Sequence, residues 1–368
     1  MNPGRPVLLL DEARARNNLE RMTKKVDAAR LRFRPHFKTH QSHEIGRWFR
    51  EKQVDAITVS SLSMAIYFIA DGWTDITIAF PLNIHEIKVL NTIPEAISLG
   101  LLVNSPTTAL KLCETADRPY NCWIEADTGF GRSGIEASDS DAFRQIIHIL
   151  QSNPHLFVAG LLSHFGHTYQ AKDKAEVSRI YNTGMNALQA LRNRLQPVCP
   201  DMQISVGDTP SCSMLDDFGE ADELRPGNFI YYDLMQAAIG SCRIEDIAVA
   251  LSVPVVEIHH GKRQLIVHGG AIHLSKDSMP GEHGQPVFGR VSRLEDKGWG
   301  PPLEGVYVKS LSQEHGVLQF RSDIPADIET GSLLGILPVH SCLTADAAGA
   351  CMTTGGAFIG MLDKRLVY

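Results

Sequence analysis

Residues 120–169 read YNCWIEADTGFGRSGIEASDSDAFRQIIHILQSNPHLFVAGLLSHFGHTY. A short apolar run, NCWIEA, ends at Ala126, and a glycine-rich polar turn follows it. From Asp139 to Gln151 the apolar residues recur at helical spacing, and a second apolar run, LFVAGLL, ends at Leu162. Two parallel strands need a crossover of this kind, because a tight turn can only reverse the chain. The stretch is one strand–helix–strand unit, and each strand is followed by a polar segment.

The same alternation extends in both directions. Further strand candidates are LRFRPHF ending at Phe37, DAITV at Val59, DITIAF at Phe80, ISLGLLV at Val103, MQISV at Val206, and a weaker one from Ala221 to Leu224. Helix-like stretches between them run from Glu12 to Arg30, His43 to Glu51, Ser61 to Ala70, Pro106 to Thr115 and Lys174 to Leu195. Eight such units predict a (β/α)8 TIM barrel over residues 12–246. After Ile247 the texture changes to runs such as VALSVPVVEIHH, RQLIVHGG and SLLGILPV, broken by glycine and proline, with no long helical period. That half reads as an antiparallel β domain over residues 247–368.

Composition narrows the function. The 368 residues are 43% apolar and 21% charged with net charge −7, which provides no basic face for nucleic acid or anionic lipid. No run approaches the ~20 apolar residues of a membrane span, and the opening MNPGRPVLLL is too short for a secretion signal. Seven scattered cysteines read as reduced thiols, so a cytoplasmic location is expected. Small-molecule chemistry is the remaining class.

In a barrel of this kind the reactive groups follow the strands at the C-terminal face. Lys38 and Thr39 follow the first strand, Asp127 to Arg132 the fifth, His164, His167 and Tyr169 the sixth, Gly207 to Thr209 the seventh, and Arg225 to Asn228 the eighth. Gly207-Asp208-Thr209-Pro210 and Gly227-Asn228 fit a phosphate cup, since backbone amides after strands seven and eight can hold an anion. Two ordinary tight turns would read the same way. Lys38 has Arg34, His36 and His40 nearby in sequence, and a lysine among cations can act as a neutral amine in Schiff-base chemistry. Alternatively it is a solvated lysine in a basic turn. A phosphate cup together with a nucleophilic lysine points to pyridoxal phosphate.

RPHFKTH, the D-x-G-x-x-R-x-G pattern at Asp127 to Gly134, SHFGHTY, SVGDTP, ELRPGNFIYYD and PVHSCLTAD together resemble the fold-type III pyridoxal-phosphate enzymes of the D-serine dehydratase and D-threonine aldolase family. The resemblance spans nearly the whole chain. It implies an alanine-racemase-like barrel plus a C-terminal β domain that residues 1–11 join, with Val7 to Leu10 as a strand. It implies that Lys38 carries the cofactor, His164 packs on its ring, and Arg132 contacts the ring hydroxyl. Tyr169, Gly207, Thr209, Gly227 and Asn228 would bind the ring nitrogen and phosphate. His340 and Cys342 match the family's divalent-metal pair; on a strand, alternate residues point the same way, and imidazole with thiolate favours zinc, with manganese the other candidate. Val339 stands where many members carry asparagine.

The expected activity is β-elimination from a D-β-hydroxy amino acid such as D-serine, giving a keto acid and ammonia, with Lys38 as base at the α-carbon. Retro-aldol cleavage to glycine and an aldehyde is the alternative, with His167 as the base on the hydroxyl. A non-catalytic pyridoxal-phosphate carrier and a cofactor-free metal hydrolase are the readings from other classes. The resemblance also implies a homodimer.

Overall fold

The computed structural model describes residues 4–363; residues 1–3 and 364–368, at the outer ends of the expected β domain, lie outside the described residues. Contacts gather the described chain into two compact units: residues 21–38 with 46–227, and residues 4–20 with 39–45 and 228–363.

The first unit contains eight parallel strands: β1 (Arg32–Phe33), β2 (Ile57–Val59), β3 (Asp75–Pro81), β4 (Ser98–Leu102), β5 (Tyr120–Asp127), β6 (Leu156–Ser163), β7 (Gln203–Val206) and β8 (Glu223–Leu224). Their order is β1-β8-β7-β6-β5-β4-β3-β2. Just past β1, His36 forms a parallel bridge to Thr58 of β2, and Thr58 N–H donates to Pro35 O at 2.9 Å. The ring is therefore nearly closed, and the expected parallel barrel is observed. β1 is shorter than its apolar run because Pro35 has no N–H for the ladder, so regular pairing stops at Phe33. The helices Leu62–Ala70 and Ser140–Gln151 each begin one residue later than their periodicity suggests. Ser61 and Asp139 are caps: Ser61 Oγ accepts from Met64 N–H at 3.2 Å and Asp139 Oδ1 from Ala142 N–H at 3.1 Å.

Inside this barrel the strands carry a buried polar network. Arg34 Nε donates to Glu223 Oε2 at 2.6 Å and its Nη1 to Asp75 Oδ1 at 2.5 Å. Ser205 Oγ donates to Glu223 Oε1 at 2.6 Å, Arg225 donates to Ser205 Oγ, and Arg225 Nη2 reaches Ser163 O at 2.9 Å. Each buried charge has a partner, as a charge removed from water requires. The network ties β6, β7 and β8 together where the polar motifs begin.

The second unit is built on β9 (Val249–His259), β10 (Gln264–His268), β11 (Gly289–Glu295), β12 (Gly298–Leu311), β13 (His315–Phe320) and β14 (Leu333–Pro338). They pair antiparallel in the order β10-β13-β12-β11-β14-β9, and β9 also pairs with β10, closing a six-stranded ring around Val253, Leu265, Val291, Val308, Leu318 and Ile336. Strand Val7–Leu10 pairs antiparallel with β9 and parallel with Ala350–Thr353.

One expectation for this half fails. His340 and Cys342 are not alternate residues of a strand: β14 ends at Pro338, His340 is the N-cap of a helix Ser341–Ala348, and Cys342 is the second residue of that helix. In SCLTADAA, Leu343 is the one large apolar residue, so there is no apolar stripe and no helical period to read.

β6 and β7 approach closely only because Gly160, opposite Gln203, lacks a side chain. A Cβ there would lie 2.1 Å from Gln203 O and 2.6 Å from Gln203 N. Gly160→Ala is expected to destabilise the barrel by about 3 kcal/mol or more, since backbone cannot yield as a side-chain tip can. Thermal unfolding checks this, and an unchanged Tm would refute the close-packing argument.

Candidate active site

In the parallel-barrel unit the polar motifs gather at the C-terminal ends of the strands. Lys38 follows β1 and is exposed, and its backbone N–H donates to His36 Nδ1 at 3.3 Å. His164 follows β6, and its Nδ1 donates to Gly207 O, just past β7, at 2.6 Å. Both imidazoles are held well below the usual histidine range, His164 at about 3. Lost solvation is the main cause, followed by the positive charge of Lys38, with Arg225 and Arg132 adding to it. Both rings are therefore neutral near pH 7. Burial also brings Arg225 down to about 10, although Glu223 and Glu125 oppose the change.

Arg132 is carried by a loop that Asp127 organises. Asp127 Oδ1 accepts from the N–H groups of Gly129, Phe130 and Gly131 at 2.9, 2.9 and 3.1 Å. Gly129 and Gly131 have φ of 112° and 74°, a region that other residues enter only with strain. Phe130, at the centre of this loop, was not evident from the sequence, where it reads as another apolar residue. Its ring meets His164 edge-on at 5.8 Å, stacks with His167 at 6.1 Å, and lies 5.4 Å from the Arg132 guanidinium. Gly166 admits it: a Cβ there would lie 2.3 Å from Phe130 Cζ. His167 Nδ1 is buried with no partner among the described residues, and lost solvation keeps its ring below the usual range against the pull of Asp127.

Thr209 opens a short helix after β7. Its N–H donates to Tyr169 Oη at 3.2 Å, while its buried Oγ1 has no partner among the described residues. Gly207 lies against the backbone of Arg225, whose carbonyl carbon would be 2.6 Å from an added Cβ. An unpaired buried hydroxyl beside a side-chain-free turn fits an anionic oxygen, so these residues can receive the phosphate of pyridoxal phosphate.

A second cluster lies in the antiparallel unit. His340 Nδ1 donates to Asp277 Oδ2 at 2.7 Å, which leaves Nε2 as its coordinating atom. Burial opposes protonation of His340, but Cys342 as an anion, then Asp233 and Asp277, raise it to about 9. Cys342 Sγ lies 3.2 Å from Thr39 Oγ1 and 3.4 Å from Asn228 Nδ2. Asn228 Nδ2 also donates to Asp233 Oδ2 at 2.7 Å, and that oxygen accepts from Ser341 N–H at 3.0 Å. One imidazole and one thiolate, oriented by carboxylates, fit a divalent ion of the zinc type with positions left for other ligands. The side chain of Asn228 thus belongs to this cluster, while Gly227 is the last barrel-unit residue before it. Asp277 stands 63 residues from His340, and Asp233, which closes the ELRPGNFIYYD motif, bears no mark in the sequence of its bond to Ser341.

A nearly closed parallel barrel with a lysine after its first strand, followed by an antiparallel β domain, defines the alanine-racemase-like class. The chain belongs to the family described as alanine racemase, N-terminal domain, whose profile matches residues 10–234; the putative serine dehydratase domain matches residues 248–354. It is 31% identical over 354 residues to D-threo-3-hydroxyaspartate dehydratase of Delftia sp. (strain HT23), covering 92% of this chain and 91% of that one. It is 26% identical to D-serine dehydratase of Dictyostelium discoideum, covering 94% and 91%. The structure of the Delftia enzyme matches with a TM-score of 0.89 at 28% identity over 97% of both chains. The resemblance to dehydratases of this family is borne out. No helix among the described residues is long and apolar enough to cross a membrane.

Asp208 gives a test of the electrostatics. Its Oδ1 accepts from Ser211 N–H at 2.7 Å and Thr168 Oγ1 at 2.8 Å, while Oδ2 is buried without a partner among the described residues. Burial raises it to about 6, against those hydrogen bonds and Arg225. A carboxyl with a raised folded pKa stabilises the fold fully below its unfolded value of about 4, and that contribution disappears as pH rises through about 6. Asp208→Asn keeps Oδ1 and both bonds but removes the charge. It is expected to be more stable than the parent at pH 8, by on the order of 2–3 kcal/mol, and about equally stable at pH 4, as thermal unfolding at the two pH values would read out. A difference that does not change with pH would contradict this.

Proposed function

We propose that the protein is a pyridoxal-phosphate- and divalent-metal-dependent lyase that removes water from small D-β-hydroxy amino acids, yielding a keto acid and ammonia. The observation that carries the proposal is the positive surround of Lys38, in which Arg132 and Arg225 help hold His36 and His164 neutral. Such a surround favours a dianionic phosphate ester. The relatives named as dehydratases act in the same direction.

In this reading Lys38 Nζ holds the cofactor, His164 lies on its ring face, Arg132 contacts its ring hydroxyl, and Tyr169 its ring nitrogen. Gly207, Thr209, Gly227 and Asn228 hold the phosphate, Asn228 by its backbone because its side chain is bonded to Asp233, with Thr209 Oγ1 gaining the partner it lacks. His340 Nε2 and Cys342 Sγ hold the ion, zinc by the softness of the thiolate. When bound, the cofactor supplies an electron sink at the substrate's α-carbon and the ion a Lewis acid at its β-hydroxyl. Lys38 Nζ, as a free amine, takes the α-proton, and the electron pair left behind forms the Cα–Cβ double bond as the hydroxyl departs. His167 Nδ1 is the second proton-handling atom. Residues 12–246 form the cofactor domain in this proposal, and 247–368 with 1–11 the domain of the metal pair, in a cytoplasmic homodimer.

The test is product identification after zinc-loaded and chelator-treated protein meets D-serine, D-threonine and D-threo-3-hydroxyaspartate. Keto acid and ammonia are expected, with turnover falling roughly 100-fold or more on chelation or in Cys342→Ala. Glycine plus an aldehyde would overturn the elimination reading, and turnover indifferent to both treatments would overturn the metal role.

A further inference from the structure

A third cluster of ligating groups lies in the antiparallel unit, apart from His340 and Cys342 in sequence. His268 ends β10, His273 sits on the short helix Ala271–Leu274, and Glu314 immediately precedes β13. The fold brings them together because the chain leaving β10 turns back over the start of β13. Gly269 N–H donates to Glu314 O at 2.9 Å, and Ala271 N–H to Ser312 O at 2.8 Å. One ligand atom from each of the three residues lies within 4.8 Å of the others, and all three residues are partly buried. His268 Nε2 is 3.4 Å from Glu314 Oε2, and the two imidazoles stand 5.6 Å apart with their planes nearly perpendicular.

We propose that His268, His273 and Glu314 form a second divalent-ion site, selective for zinc and its neighbours among the later first-row metals. A tetrahedral ion with bonds of about 2.0–2.1 Å separates its ligand atoms by roughly 3.3 Å. His268 and Glu314 already have that spacing, and His273 closes the remaining gap. His273 Nδ1 accepts a long bond, 3.3 Å, from Gly270 N–H. Coordination by either nitrogen ends that bond, since Nδ1 then binds the ion or carries the ring proton. A neutral bond of that length is weak beside two imidazoles and a carboxylate on one ion. Three protein ligands leave a position for water, and the absence of sulfur from the set separates this site chemically from the thiolate pair.

The ion would tie down a segment that reaches the His340–Cys342 cluster. Leu274 O accepts from Thr344 Oγ1 at 3.2 Å, and Asp277, three residues on, is the partner of His340. Stapling His273 to His268 and Glu314 therefore steadies the stretch that carries Asp277.

Metal content and cobalt(II) spectra of the full chain test this. Wild-type protein is expected to hold two equivalents of zinc, His268→Ala and Glu314→Gln one, and the double variant His340→Ala/Cys342→Ala one. Cobalt in that double variant should give tetrahedral d–d bands without the near-ultraviolet thiolate band, whereas cobalt in His268→Ala should keep the thiolate band. His283→Ala, an exposed histidine elsewhere on the unit, should change nothing. The proposal fails if His268→Ala and Glu314→Gln retain the wild-type stoichiometry, or if His283→Ala lowers it equally. A double variant that holds as much metal as wild type would instead contradict the His340–Cys342 pair and leave the third cluster supported.

Discussion

Positive charge crowded at the strand ends of the parallel barrel is the constraint on which the rest of this structure turns. Lys38, Arg132 and Arg225 bear on His36 and His164, and lost solvation together with those charges keeps both rings neutral. Like charges held together beside two buried rings are unfavourable unless an anion is meant to join them. The barrel tolerates the crowding because Arg225 is tied to Ser205 and Ser163, and because Glu223 serves Arg34 and Ser205 at once. The same network sets the ends of β6, β7 and β8, so stability and site geometry share their supports.

Local chemistry completes the arrangement. Asp127 gathers three backbone N–H groups and so presents Arg132, while two glycines with positive φ make the sharp turn possible. In the antiparallel unit, Asp277 and Asp233 do for His340, Ser341 and Asn228 what Asp127 does for its loop. Carboxylates that never need to touch a substrate thus orient the groups that would.

The parallel barrel was legible because each strand is an apolar run that stops at a glycine or polar motif, and because chemistry in such folds follows the strands. Lys38, His164, Tyr169 and Thr209 could be picked out for that reason. The ends of the ring were harder: Pro35 cuts β1 short, and β8 is only two residues, Glu223–Leu224. The helix after β14 was invisible because Ser341–Ala348 has no apolar stripe, and the assignment of His340 and Cys342 to a strand failed with it. Phe130 was hidden for the opposite reason, since an aromatic residue between glycines gives no sign that three site residues will pack around it. Asp277 lies 63 residues from His340, so only the tertiary fold reveals the pairing.

In the proposed function, Lys38 is the residue around which this charge is arranged, and its amine holds an aldehyde cofactor. Reduction of the cofactor-loaded protein with borohydride, followed by peptide mapping, addresses it directly. A phosphopyridoxyl group is expected on the peptide containing Lys38 and none in Lys38→Ala. A label on a different lysine, or no label on protein that has taken up the cofactor, would contradict it.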